Sequence, residues 1–300
     1  MTANRSASVL ARLLNLAKQR GDDYSLLLNR FALERLLYRV ATSAHADGFL
    51  LKGALLFALW YDEPHRPTRD ADLLGFGQDD AEHLVAVFRD IAAIEADDGI
   101  VFDADSVRAL AIRDDNAYGG TRIQLVAHIG SARCALQIDV GFGDAVTPEP
   151  LTATLPALLH DFAAPTLRVY PVYTVIAEKY HAMATLGMAN SRMKDFYDLA
   201  VIARRTELDG AILARAIAAT FARRSTRLPL ARPRGFDPPV WCRYGEIAPM
   251  ASLREQNQLA TAPLAEVVAL LDHLLWPATQ VANSGSTATA TWQANGAKWV

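Results

Sequence analysis

The sequence predicts an α+β protein, with a mixed β-sheet and flanking helices in the first half and a mostly helical second half. Three observations predict it. Strand-like apolar runs alternate with helical periodicity up to about residue 143. Pro148, Pro150, Pro156, Pro165 and Pro171 then mark a connecting region. From residue 172 onward the spacing is almost wholly helical. At 300 residues the chain sits at the upper limit for one hydrophobic core, so two packed units are expected. Their predicted extents are residues 1–160 and 161–277, with 278–300 as a loose or accessory tail.

Residues 5–20 have the spacing of an amphipathic helix, with Val9, Leu13, Leu16 and Ala17 on one stripe. A second helix follows over about 24–43, burying Leu27, Phe31, Leu33, Leu36, Leu37 and Val40. Residues 48–61 combine a short strand (49–51), a tight turn at Lys52-Gly53 and a buried helix from Ala54. Pro64 and Pro67 break the chain before a strand at about 70–76, and residues 79–95 return to helical spacing. Two strand-like runs, 122–129 and 134–142, flank the turn Ile129-Gly130-Ser131 and predict a hairpin. Helices are expected at about 172–187, 192–205, 208–224 and 263–276, with a proline-rich loop at 229–239. The residues after Pro277 are rich in Ala, Thr, Ser, Asn and Gly, which predicts the loose tail.

Composition narrows the class. With 51% hydrophobic and 21% charged residues, wholesale disorder is excluded. No apolar run reaches the ~18 residues that a membrane span needs. The first twenty residues carry four basic side chains and no clean apolar core of a signal peptide. Cys134 and Cys242 are too few for a disulfide framework or a four-ligand zinc site. A soluble, cytoplasmic protein is expected. The net charge of -3 conceals an asymmetry: residues 62–115 hold 15 acidic and 5 basic side chains, whereas residues 204–234 hold 8 basic and 2 acidic ones. That basic run is either a solvated helix face or an electrostatic platform for a polyanion such as RNA.

The chain has no G-x-S-x-G, H-E-x-x-H, C-x-x-C or P-loop motif, and Gly75-Phe76-Gly77 and Gly141-Phe142-Gly143 do not extend to a dinucleotide fingerprint. What remains is a set of carboxylates on strands. Asp70 and Asp72 are two apart on a predicted strand and so share a face. Asp139 sits in the apolar strand Gln137-Ile138-Asp139-Val140, where an acidic side chain is costly unless it meets a cation. Three converging carboxylates would hold one or two Mg²⁺ ions, which suits displacement at a nucleotide α-phosphorus. The alternative pairs Asp70 and Asp72 with Arg66 and Arg69 as strand-end salt bridges. Upstream, the turn at Lys52-Gly53 ends a strand and opens a helix, where backbone N–H groups can meet a phosphate.

The order of glycine turn, D-x-D and later strand carboxylate resembles the nucleotidyltransferase fold of DNA polymerase β. One branch matches more closely. Phe49-Leu50-Leu51-Lys52-Gly53-Ala54 followed by Arg66-Pro67-Thr68-Arg69-Asp70-Ala71-Asp72-Leu73 resembles the "LKGG…R-x-T-x-D-x-D" block of the AbiEii/AbiGii nucleotidyltransferase toxins of type IV toxin–antitoxin systems. The similarity runs on through Ala177-Glu178-Lys179-Tyr180-His181-Ala182-Met183, Arg192-Met193-Lys194-Asp195-Phe196-Tyr197-Asp198-Leu199 and Phe221-Ala222-Arg223-Arg224-Ser225-Thr226-Arg227-Leu228-Pro229 to Leu274-Leu275-Trp276-Pro277. Ala54 stands where a second glycine is common.

The resemblance implies a polymerase β-like nucleotidyltransferase domain followed by a helical domain, with the active site in the groove between them. It implies an NTP substrate, Mg²⁺ or Mn²⁺ as cofactor, an antitoxin protein as partner and, in some members, the acceptor end of tRNA as target. Asp70, Asp72 and Asp139 would be metal ligands. Lys179 would contact the triphosphate, and Asp195 or Asp198 would complete the catalytic set. Lys52, Gly53, Arg66, Thr68, Arg69 and Lys194 would line the nucleotide. On periodicity alone, Glu178, Lys179, Lys194, Asp195 and Asp198 also read as a solvated ionic ladder. Rival functions are transfer to a protein or small-molecule acceptor, and a non-catalytic RNA- or protein-binding module on the same fold.

Overall fold

The computed structural model of the chain describes residues 2–61, 68–112, 119–187, 192–233, 236, 262–286 and 290–300. Arg66, Pro64, Pro67, Arg234 and part of the predicted loop at 229–239 lie outside them. The chain divides into two units: Met1–Gly143 with Leu151–Val169, and Asp144–Pro150 with Tyr170–Val300. The predicted limits at 160/161 therefore cut a segment that returns to the first unit.

In the first unit, α1 (Thr2–Arg20) presents Val9, Leu13 and Ala17 to the core. Helix α2 (Tyr24–Thr42) is capped by Asp23, whose carboxylate accepts the Leu26 N–H at 2.7 Å. Its buried face holds the six expected apolar side chains and also Glu34, Arg35 and Arg39. Two of those charges are satisfied internally: Arg39 binds Asp98 at 2.7 and 3.1 Å, and Glu34 accepts the Leu158 N–H at 2.7 Å.

The strands are β1 (Phe49–Lys52), β2 (Asp70–Gly75), β3 (Val101–Ile112), β4 (Gly120–Ile129), β5 (Ala132–Phe142), β6 (Leu151–Thr154) and β7 (Thr166–Val169). They form one sheet in the order β3-β4-β5-β2-β1-β7-β6. The short helix α3 (Leu56–Tyr61) follows a 3-10 turn at Gly53–Leu55. Helix α4 (Ala81–Ala92) is capped by Asp80 and buries Leu84, Val87, Phe88 and Ile91. The predicted hairpin is present, with β4 and β5 antiparallel around Gly130 and Ile129 opposite Ala132.

The sheet is mixed at its centre: β2 runs parallel to β5 and antiparallel to β1. Ala71 and Leu73 of β2, Ile138 and Val140 of β5, and Ile123 and Leu125 of β4 are all buried on one face. Strand alternation therefore puts Asp70, Asp72, Asp139 and Arg122 on the other face.

The second unit contains α5 (Val172–Leu186), α6 (Met193–Arg205), α7 (Gly210–Arg223) and α8 (Leu264–Ser284). Helix α8 continues through Pro277, where the sequence predicts an end, because Leu274, Leu275, Ala278 and Thr279 on both sides are buried. The last residues differ from the expected loose tail. Strands β8 (Leu208–Asp209), β9 (Thr291–Gln293) and β10 (Lys298–Trp299) form a small antiparallel sheet. The fully buried indole of Trp292 donates to the Ala203 carbonyl at 2.7 Å. Two aromatic side chains thus order a stretch whose composition is otherwise that of a linker. Among the described residues, no helix is long and apolar enough to cross a membrane.

Candidate functional site

Strand register assembles the first group of polar residues. Lys52 of β1 lies opposite Asp72 of β2, Asp72 opposite Asp139 of β5, and Asp139 opposite Arg122 of β4. Opposed residues share a sheet face, so a row of Lys, Asp, Asp and Arg crosses four adjacent strands. Asp70 stands two residues before Asp72 on the same face, and the Thr68 hydroxyl donates to the Asp70 carbonyl at 3.2 Å. Arg69 between them is exposed.

The turn at Gly53 belongs to this row. Gly53 has φ +75, and a Cβ built there would fall on the Asp72 carboxylate. Glycine is thus required twice, by the backbone and by the oxygen packed against it.

Arg122 holds Asp139 through both oxygens: Nε donates to Oδ1 at 2.9 Å and Nη2 to Oδ2 at 2.8 Å. The hydrogen bonds to Asp139 lead in pushing the Arg122 pKa up, and the charges of Asp139, Asp70 and Asp72 add to it against some desolvation. Among the described residues, no three carboxylate, imidazole or thiol side chains are grouped so as to hold a metal ion. Asp139, the third aspartate of the predicted ligand set, shares this face with Asp70 and Asp72 and is held by Arg122 through both oxygens. Asp70 and Asp72 offer the hard oxygen donors that a divalent cation takes.

The second unit carries its own group. The Lys179 ammonium donates to Asp195 Oδ1 at 2.5 Å and to Asp198 Oδ2 at 2.8 Å. Arg192 Nε lies 2.7 Å from the other oxygen of Asp195. The two carboxylates are three apart on α6 and nearly inaccessible, at 3% and 1% side-chain exposure. They are therefore a buried ion cluster and not the exposed ladder that periodicity allows. Burial works against the lysine charge, but Asp198 and Asp195 outweigh it and the Lys179 pKa moves up. Lys194 is exposed.

Beside it in sequence is a network that sequence reasoning missed. Arg224 Nη2 reaches Asp144 Oδ1 at 3.2 Å and lies 3.9 Å from Glu178. The buried Tyr170 hydroxyl donates to the other Asp144 oxygen at 3.4 Å. Arg224 Nη1 lies 3.3 Å from His181 Nδ1, and His181 Nε2 lies 3.0 Å from the Thr226 hydroxyl. Because arginine can only donate, Nδ1 accepts and the Nε2 tautomer is selected. Burial first, and then the Arg224 charge, push the His181 pKa down to about 4. His181 is therefore a neutral strut. Its partners are up to 45 residues away, beyond the reach of any local pattern, although Arg224 stands in a quoted block. Of the basic run, Arg204, Arg205, Arg215, Arg223, Arg227 and Arg232 are exposed.

A mixed sheet with an in-register aspartate row beside a glycine turn is the frame of a nucleotidyltransferase. The chain matches the family model of the nucleotidyl transferase AbiEii toxin of type IV toxin–antitoxin systems over residues 35–273. It belongs to that family and is a nucleotidyltransferase toxin, with an NTP as substrate and an antitoxin as partner. No curated protein is significantly similar to the chain. Among solved structures it is similar to the MenT4 nucleotidyltransferase toxin of Mycobacterium tuberculosis H37Rv, with 18% identity, a TM-score of 0.49 and coverage of 91% of this chain and 98% of that one. It is also similar to JHP933 from Helicobacter pylori, with 14% identity, a TM-score of 0.48 and coverage of 86% and 94%.

Proposed function

We propose that this toxin transfers a nucleoside monophosphate from an NTP to the 3′-terminal hydroxyl of tRNA, with Mg²⁺ as cofactor, and so blocks translation. The observation that carries the reading is the placement of Asp70 and Asp72 on one sheet face, with Gly53 packed under Asp72 and Lys52 opposite it. The acceptor oxygen bonds to the α-phosphorus, the bond from that phosphorus to the pyrophosphate oxygen breaks, and the hydroxyl proton is released. Asp70 and Asp72 would hold the divalent cation. Bound there, it would neutralise triphosphate charge and favour the ionised acceptor hydroxyl.

The protein's own part is positioning and fixed charge. Asp195 and Asp198 keep Lys179 protonated, and Lys179 would contact the triphosphate. Lys52, with Arg66, Arg69, Thr68 and Lys194, would serve the nucleotide. The exposed arginines of residues 204–232 favour RNA over a small-molecule acceptor, since they would neutralise a phosphate backbone.

The test is incubation of the protein with Mg²⁺, total RNA and each α-³²P-labelled NTP, beside an Asp70→Ala variant. Label in a tRNA-sized band that disappears with Asp70→Ala is the expected result. Label on protein would move the acceptor, and no label with any NTP would overturn the reading.

A further inference from the structure

We propose that a cavity beside α4 docks a second copy of this chain, and that its occupant is Leu230 of that copy, presented on an arginine-rich segment. The cavity measures about 200 Å³ and lies within the first unit, lined by Phe49, Phe76, Leu84, Val87 and Phe142, with His83 among its polar groups. Phe142 stands three residues beyond Asp139 on β5 and so faces the other side of the sheet from the aspartate row. The cavity is therefore separate from the candidate nucleotide site. Its walls are fixed: the Phe142 ring packs on Gly75, where a Cβ would come within 2.5 Å of it, and His45 lies 3.1 Å from Asp90.

Size and charge narrow the occupant. Pockets for small-molecule ligands begin at roughly 300 Å³, so this one suits a single side chain. Its apolar lining asks for an apolar one. Around it, Asp47, Asp79, Asp80 and Glu82 are exposed neighbours of lining residues in the chain, and the exposed Asp90 pairs with His45. Against these five carboxylates stand Arg89 and Arg168, the latter 5.6 Å from the Phe76 ring centroid. Such a rim repels a phosphate backbone and attracts a basic segment. The occupant is thus an apolar side chain with basic flanks.

The chain carries such a segment in its second unit. Leu230 is 90% exposed, more than any other large apolar side chain among the described residues. Residues 223–233 hold four arginines and no acidic residue. Arg227 and Arg232, three positions before Leu230 and two after it, are exposed. Pro229 precedes the leucine, and its carbonyl accepts from Asn283 Nδ2 at 2.9 Å, so the side chain is presented on a stiffened segment. Bound RNA would use the arginines but has no use for the leucine. The contact joins two different surfaces, and every copy offers one of each.

The experiment is sedimentation velocity of the full chain, without nucleotide or RNA. The wild type should self-associate with a Kd on the order of 10–100 µM at low salt. Raising the salt to about 0.5 M should weaken this at least about fivefold. Leu230→Ser, and Ala44→Phe, which fills the cavity from a lining position, should each weaken it by about tenfold or more. Mixing the two variants should restore association and stop it at a one-to-one pair, because one keeps the leucine and the other keeps the cavity. A wild type that stays monomeric, association that survives either variant, or a mixture that does not pair would each overturn the proposal and give the cavity to another partner. If either variant does not fold, a peptide of residues 223–233 decides: it should bind the wild type and break its self-association, and failure to do so overturns the proposal.

Discussion

The Asp72 carboxylate occupies the space that any side chain at Gly53 would need. The glycine turn and the D-x-D strand, nineteen positions apart, are thereby one steric unit that the antiparallel pairing of β1 and β2 holds in register. Gly53→Ala therefore meets a backbone penalty at φ +75 and a displaced Asp72 at once. We expect a loss of about 1–3 kcal/mol in urea denaturation and a fall in nucleotidyl transfer of at least about tenfold. Transfer at the wild-type rate would show that Asp72 tolerates being moved.

Lys179 sits between two carboxylates that have almost no access to water. Lys179→Met leaves both without that cation, which should cost about 3 kcal/mol at pH 7. Adding Asp195→Asn and Asp198→Asn to it should return part of the loss. Because the folded pKa of Lys179 lies above its ordinary 10.5, its contribution is complete below that pH and is lost as the pH rises through the folded value. Urea midpoints of wild type and Lys179→Met should differ by a constant amount from pH 7 to about 10 and converge above it. A variant as stable as the wild type at pH 7 would deny the cluster its structural role.

His181 gives the opposite sign. Its folded pKa, about 4, is below its ordinary 6.5, so between these values the unfolded chain binds the extra proton. Stability should fall as the pH drops from 6.5 toward 4, by up to about 3 kcal/mol from this group. His181→Gln keeps an acceptor for Arg224 and a donor for Thr226 but cannot titrate. Its stability should decline less steeply over that window, as thermal melts at half-unit pH steps will show.

How much of this was legible in the sequence depends on the range of the signal. The pairing of Arg122 with Asp139 was within reach: once the turn is placed between Ile129 and Ala132, counting seven residues outward on each strand brings the two together. Strand β3 was not. Its buried Phe102 and Val107 are five apart, because a bulge between Asp103 and Arg108 breaks the two-residue alternation. The shared face of Asp70 and Asp72 follows from strand period alone. The hydrogen bond that Arg224 makes to Asp144 spans 80 residues and follows from no local rule.

The C-terminal hairpin offers the last test, because composition and structure part most widely there. Trp292 is fully buried, its ring centroid 5.6 Å from that of Trp299, and its indole donor is used by Ala203 near the end of α6. Trp299 in turn donates to the His273 carbonyl of α8 at 3.0 Å, while the Gly210 N–H that opens α7 is bound by Ala290. The hairpin therefore ties together three helices of the second unit, one of which carries Asp195 and Asp198. Trp292→Ala should destabilise by about 3–5 kcal/mol. Amide exchange should quicken first at Leu208, Asp209 and the last turn of α6. Trp292→Phe keeps most of the packing and loses the hydrogen bond, so its loss should be the smaller. If removing residues 287–300 leaves the melting temperature and the exchange of α6 unchanged, these strands are an ornament on the fold and the composition was the better guide.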